Sequence, residues 1–223
     1  MNSLDERAAQ FAADLGQTIR GVLETDVALH VVDAKQDRRI GPGPFVNGQF
    51  AKIPLPSRTA EPTVRASMKF EQTVRMNSKG LHMKVMSSTM ALFVGTSDSQ
   101  QPALRVDYDR AAVGRSAAHV HFHGQSPELS ALRDADTRVV LRETSGIHFP
   151  LGNHRFRPSL EEFLRFLIEE GFTDGKPGWS AFLDERQADW LRIQAEAVAD
   201  KNQDTVARIL RANGWTVTPP AMR

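Results

Sequence analysis

Three histidines at alternate positions, in Ala118-His119-Val120-His121-Phe122-His123-Gly124, are the side chains of this sequence best able to do chemistry. Successive side chains of an extended strand point to opposite faces, so His119, His121 and His123 are expected to share one. Val120 and Phe122 then point into a core, with the imidazoles on the solvated side. With 7 histidines in 223 residues, composition alone gives such a run a chance expectation of about 0.006. The run stands well inside the chain, so it is not a purification tag.

Near neutral pH, imidazoles serve as general base, general acid or nucleophile, and a pair can make both proton transfers at a phosphodiester. Charge developing on phosphoryl oxygens needs cationic donors. Arg115, Arg138, Arg142, Arg155 and Arg157 all lie near the run in sequence. The leading expectation is a histidine-based enzyme, nuclease-like, acting on a phosphodiester or nucleotide, with His119, His121 and His123 as its catalytic groups.

A metal is the second reading. Positions two apart on a strand are separated by roughly 6.6 Å, and the outer pair by roughly 13 Å. Zinc–nitrogen bonds are about 2 Å, so adjacent histidines can share an ion while all three on one strand cannot. A third ligand must come from elsewhere, and His148 and His154 are available. The alternative is therefore a metal-binding hydrolase or metal-sensing domain holding a divalent ion such as zinc on His119, His121 and His148. A third reading, from another class, is a non-catalytic interaction domain with a protein partner. The plainest reading is a wet strand face rich in histidine, although such faces usually carry Thr, Lys or Glu.

A second block, Gly146 to Ser159, places His148, His154, Arg155 and Arg157 around a Gly152-Asn153 turn leading into a helix. A loop between a strand and a rigid helix is a common seat for functional side chains, so these four are the expected substrate-binding groups. His30 and His82 stand alone in apolar stretches and read as structural. Asp107 and Asp109 flank Tyr108 and could orient a histidine, though turn chemistry explains them equally well. Trp179, Trp190 and Trp215 read as core or inter-helix residues.

The elements that must position these groups follow from periodicity. Ser3 with Glu6 forms a capping box, and Ala8, Phe11, Ala12, Leu15, Ile19 and Val22 recur at helical spacing. Val27 to Val32 reads as a short strand. Between Gly41 and Pro62 stand five prolines and three glycines, which predicts a long wrapping loop. Strands follow at Val64 to Met76, Leu81 to Val94, Ala103 to Tyr108, Ala118 to His123 and Thr137 to Arg142, with a hairpin turn at Asn77 to Gly80. A second capping box, Ser159 with Glu162, opens a helix carrying Leu160, Phe163, Leu164, Leu167 and Ile168 and stopped by Gly171. Helices at about Ser180 to Asp200, with Phe182, Leu183, Trp190 and Ile193 inward, and Asp204 to Asn213 complete the chain. Strands grouped before helices predict an α+β fold: an antiparallel sheet with an N-terminal helix and a C-terminal group of helices. The expected organisation is one domain, residues 1–223: a loop at 41–62, mainly strands at 64–149 and mainly helices at 159–214.

Composition narrows the classes further. The formal net charge of +1 argues against coating nucleic acid or anionic membrane by bulk charge. A small nucleotide or a nucleic acid remains an expected partner, through local groups. With no cysteine, disulfides, thiolate metal sites and a cysteine nucleophile are excluded. Met1-Asn2-Ser3-Leu4-Asp5 opens no apolar signal stretch, and no apolar run approaches membrane-spanning length. A cytoplasmic protein without a membrane partner is expected.

Two resemblances attach to these motifs. From about Leu104 to Gly214 the chain resembles a group of uncharacterised bacterial His-cluster proteins. The shared elements are His121-Phe122-His123-Gly124, His148-Phe149-Pro150-Leu151-Gly152 and Arg155-Phe156-Arg157-Pro158-Ser159-Leu160-Glu161. That resemblance implies no known activity, although the histidine-rich sheet is similar to small bacterial toxin components. Locally, Gly114 to His123 is similar to the motif of the histidine-triad nucleotide hydrolases, whose middle histidine attacks phosphorus, which implies that role for His121. The sequence departs from that motif at Gly124-Gln125, where the family has two apolar residues, and about 100 residues follow.

Overall fold

Both capping boxes start helices. In α1 (Leu4–Val22) the Ser3 hydroxyl accepts the Glu6 amide and the Glu6 carboxylate accepts the Ser3 amide. Ser159 and Glu162 repeat the arrangement at α2 (Leu160–Glu169), and Gly171, at φ +76°, lets the chain leave the helix in a conformation that disfavours a Cβ. The structure, a computed structural model, describes residues 3–56, 65–78, 80, 82–95, 101–124, 149–151 and 157–218. The expected strand at Thr137 to Arg142 lies outside them.

Ten strands are described. The first five are β1 (Leu29–Ala34), β2 (Asp37–Pro42), β3 (Phe45–Val46), β4 (Gln49–Phe50) and β5 (Ile53–Pro54). Next come the long pair β6 (Arg65–Met76) and β7 (Met83–Gly95), joined across the expected turn, where Gly80 donates to the Asn77 carbonyl. The last three are β8 (Leu104–Asp109), β9 (Ala118–Phe122) and β10 (Phe149–Pro150). Eight of the ten form an antiparallel sheet in the order β1-β2-β6-β7-β8-β9-β10, with β5 also bonded to β6, and β3 and β4 pair separately. β2 lies beside residues 72–74 of β6 and β5 beside residues 67–68, so the two share one edge of that strand. The fold is α+β.

One face of this sheet is apolar and carries the core. Ile40, Met68, Phe70, Val74, Met90, Leu92, Val106, Tyr108 and Val120 meet Ala8, Ala12, Leu15 and Ile19 of α1 and Leu160, Phe163, Leu164 and Leu167 of α2. The other face is polar: Lys69, Glu71 and Thr73 on β6, Thr89 on β7, Arg105 and Asp107 on β8, His119 and His121 on β9. Period-two alternation along each strand produces this division, and the helices select which side becomes the interior.

The 41–62 segment holds more structure than its prolines suggest. β3 and β4 form a tight hairpin around Asn47 and Gly48, at φ +52° and +80°, the left-handed pair that a two-residue turn of this hand requires. Phe50 of the hairpin lies on the polar face over Gly41, where a Cβ would stand 2.4 Å from the ring. Arg39 stacks over Phe45 and Phe50 at 5.0 and 5.5 Å and reaches Glu71 with two nitrogens.

The sequence reads as one domain; the chain divides into two compact units, Met1–Leu183 and Asp184–Arg223, with the sheet, α1 and α2 in the first. The remaining helices are α3 (Trp179–Lys201), which crosses the boundary, and α4 (Gln203–Ala212). Leu183 is fully buried and Trp179 and Phe182 lie against the core, as expected. Ile193, expected inward, is 53% exposed, and Trp215 is exposed rather than packed between helices. Beyond residue 184 the apolar positions of α3 do not gather into one stripe, so the helix has no face to bury.

Candidate metal centre

The site is built on two neighbouring strands. β8 and β9 pair with Asp107 opposite His119 and Arg105 opposite His121, so all four side chains project from the same polar face. Thr89 of β7 stands opposite Asp107 and extends the row. The shared histidine face therefore follows the strand alternation, but its surroundings differ from expectation. His119 is 2% exposed and His121 4% exposed, so both imidazoles are interior. Val120 is buried in the core as expected, whereas Phe122, expected beside it, is 57% exposed. Phe122 pairs with Leu104 at the start of β8, a residue itself only partly buried, so the core thins toward this end of the strands.

Donors and acceptors fix the roles of the ring nitrogens. His119 Nδ1 lies 2.9 Å from the Ser116 carbonyl, which can only accept, so Nδ1 carries the proton and a neutral ring offers the lone pair of Nε2. The Arg105 guanidinium lies 3.2 Å from His121 Nε2; a guanidinium only donates, so that nitrogen is also an acceptor. Asp107 Oδ1 accepts from the Thr89 hydroxyl at 2.8 Å. Asp107 Oδ2 accepts from Arg105 Nε at 2.7 Å and lies 3.4 Å from His121 Nε2 and 3.9 Å from His119 Nε2. Three lone-pair atoms thus converge, all within 4.8 Å of one another.

That spacing approaches what a metal needs. Ligand atoms about 2.05 Å from a tetrahedral ion are separated by about 3.3 Å. Asp107 Oδ2 and His121 Nε2 already stand 3.4 Å apart, while the 3.9 Å to His119 and the widest gap, within 4.8 Å, must close for one ion to reach all three. The tie from His119 Nδ1 to a backbone carbonyl is the outer support typical of metal-bound histidines, fixing tautomer and ring plane. The rings of His119 and His121 meet edge-on at 4.8 Å between centroids.

The other expected site residues are placed differently. His123, beyond the last residue of β9, lies 6.2 Å from His121 between ring centroids and meets Gln101 through Nδ1, and it is not among the converging donors. His148, His154 and Arg155 lie outside the described residues, so the metal set His119, His121, His148 has two members in place, with Asp107 as the third donor. Arg157 is half-buried, and desolvation holds its guanidinium below the usual arginine range, opposed chiefly by Glu161, with Tyr108 next. Those neighbours belong to the helix α2 and to the core side of β8, not to the imidazole face. Arg115 pairs with Asp109 at 2.8 Å. His30 and His82, read as structural, are both exposed.

Arg105 escaped the sequence reading, and Asp107 appeared only as an orienting group. The Arg105-Val106-Asp107 alternation was visible, but the register that sets Asp107 against His119 is a tertiary fact. No family model matches the chain, and no curated protein or solved structure matches it.

Proposed function

We propose that Asp107, His119 and His121 form a mononuclear divalent-metal centre and that the chain is a metal-dependent hydrolase of a phosphodiester or nucleotide. The observation behind this reading is the convergence of His119 Nε2, His121 Nε2 and Asp107 Oδ2 in a largely buried position. Three protein ligands leave a coordination position for water, whose pKa a bound zinc-like ion lowers toward neutrality, and the ion would polarise a phosphoryl oxygen. The chain's own contribution is to hold the donors: β8 and β9 set their spacing, Ser116 fixes one ring and Thr89 fixes the carboxylate. Among metals, two nitrogens and one oxygen suit zinc, ferrous iron or manganese. A metal-free histidine mechanism rests on a different observation, the guanidinium of Arg105 beside His121.

Elemental analysis and chelator-sensitive hydrolysis separate the two. Purified protein is expected to carry about one equivalent of a divalent ion. Asp107→Asn and His119→Ala should lose it, and bis(p-nitrophenyl) phosphate should be cleaved only by metal-loaded protein. Cleavage untouched by chelation would select the metal-free mechanism. No metal as purified, with no thermal shift on adding zinc, manganese or ferrous iron, would remove the metal centre.

A further inference from the structure

Arg105 stands where a cation is wanted. Its Nε donates to Asp107 Oδ2, the same oxygen that faces both imidazoles, and its terminal nitrogen donates to His121 Nε2. Two of the three converging lone pairs are thus already engaged by one guanidinium. Thr89 occupies the other oxygen of Asp107, which leaves Oδ2 facing both Arg105 and the imidazoles. His121 Nε2 has a single lone pair, so a metal bound there must displace the terminal nitrogen of Arg105. Its side chain, 38% exposed beside the interior His119 and His121, has solvent to move into.

Resting on the metal-centre reading, we propose that Arg105 is the anion-binding group of this site, a guanidinium released by metal binding to grip a phosphoryl oxygen beside the ion. Charge counting supplies the reason. Two neutral imidazoles, one carboxylate and one guanidinium sum to about zero; a divalent ion raises the cluster to about +2, which favours an anion over water as the next ligand. The planar fork of arginine suits phosphate geometry, and the guanidinium starts within hydrogen-bond reach of two metal ligands. Metal and anion would then bind cooperatively, because each offsets the repulsion or vacancy the other leaves. The substrate class that fits is a phosphate ester with one oxygen on the metal and another on Arg105.

The test measures zinc affinity by competition with a chromogenic chelator, with and without millimolar inorganic phosphate, in wild type, Arg105→Gln and Arg105→Lys. Arg105→Gln should bind zinc about ten- to a hundredfold more tightly without phosphate, since a charge-assisted competitor for Asp107 is gone. Phosphate should tighten zinc binding to wild type and to Arg105→Lys, but leave Arg105→Gln unchanged. Equal zinc affinity in wild type and Arg105→Gln overturns the displacement, and an equal phosphate effect in both overturns the anion role. Failure of all three proteins to bind zinc, manganese or ferrous iron strikes the metal centre itself, a separate result.

Discussion

Thr89 decides which oxygen of Asp107 faces the imidazoles, and this small constraint organises the site. With Oδ1 held by the hydroxyl, Oδ2 alone points to His119 and His121. Thr89→Val keeps the shape and removes the bond, so metal affinity should fall about 10- to 100-fold, as for other outer supports of metal ligands. Isothermal titration with zinc reads this directly; an unchanged affinity would mean that the carboxylate is held by something else. His121 makes a second residue-scale point. An imidazole on a wet face could be removed at almost no cost, but this ring is interior and accepts from Arg105. His121→Ala should therefore destabilise the metal-free protein by about 1–3 kcal/mol in a urea melt. A loss within about 0.5 kcal/mol would show that the ring is effectively solvated.

At the scale of elements, the sheet edge illustrates how charges hold what the core does not. Arg75 on β6 grips both carboxylate oxygens of Asp37 on β2, with one contact at 2.8 Å, and Arg38 ties β2 to Asp5 of α1. Hydrogen bonding from Arg75 holds the Asp37 carboxyl below its ordinary 3.8, against a smaller opposing effect of burial. A depressed folded-state pKa stabilises fully above the unfolded value and is lost as pH falls through the folded one. Asp37→Asn should thus cost about 0.2–1 kcal/mol at neutral pH, with the gap from wild type closing below about pH 3.8. Stability measured against pH for both proteins checks it; a gap that persists in strong acid would deny the ion pair its role. The same edge shows what was legible beforehand. The capped helices and the long β6–β7 hairpin announce themselves by local spacing, since caps, turns and alternation are properties of neighbouring residues. The β3–β4 hairpin had a local signal too, Asn47-Gly48 between Phe45-Val46 and Gln49-Phe50, but the surrounding prolines outweighed it. Exposure of Phe122 had no local signal, because it depends on where the core ends along the strands. Burial of His119 and His121, on the face away from those helices, had none either, since alternation tells which side chains share a face and not whether that face is covered.

For the whole molecule, stability is expected to reside in the first unit. The core draws its residues from α1, α2, the sheet and the first turns of α3, ending at Leu183, while α4 buries no residue at all. Leu191, Ile193, Val198, Ile209 and Trp215, all in the second unit, are each about half exposed or more. A ten-residue helix is marginal without tertiary support, and α4 has its ladder plus a few local ties, such as Arg211 to the Val217 carbonyl. Ending the chain at Lys201 therefore takes away no core side chain among the described residues. The expected result is an unfolding free energy within about 0.5 kcal/mol of the full chain, with zinc stoichiometry unchanged and binding of a hydrophobic dye reduced. The dye signal should fall because Ile209 and Trp215 leave with the deleted segment. A loss of several kcal/mol would show that residues 202–223 support the first unit, and that the exposed apolar positions of α4 understate its part in the fold.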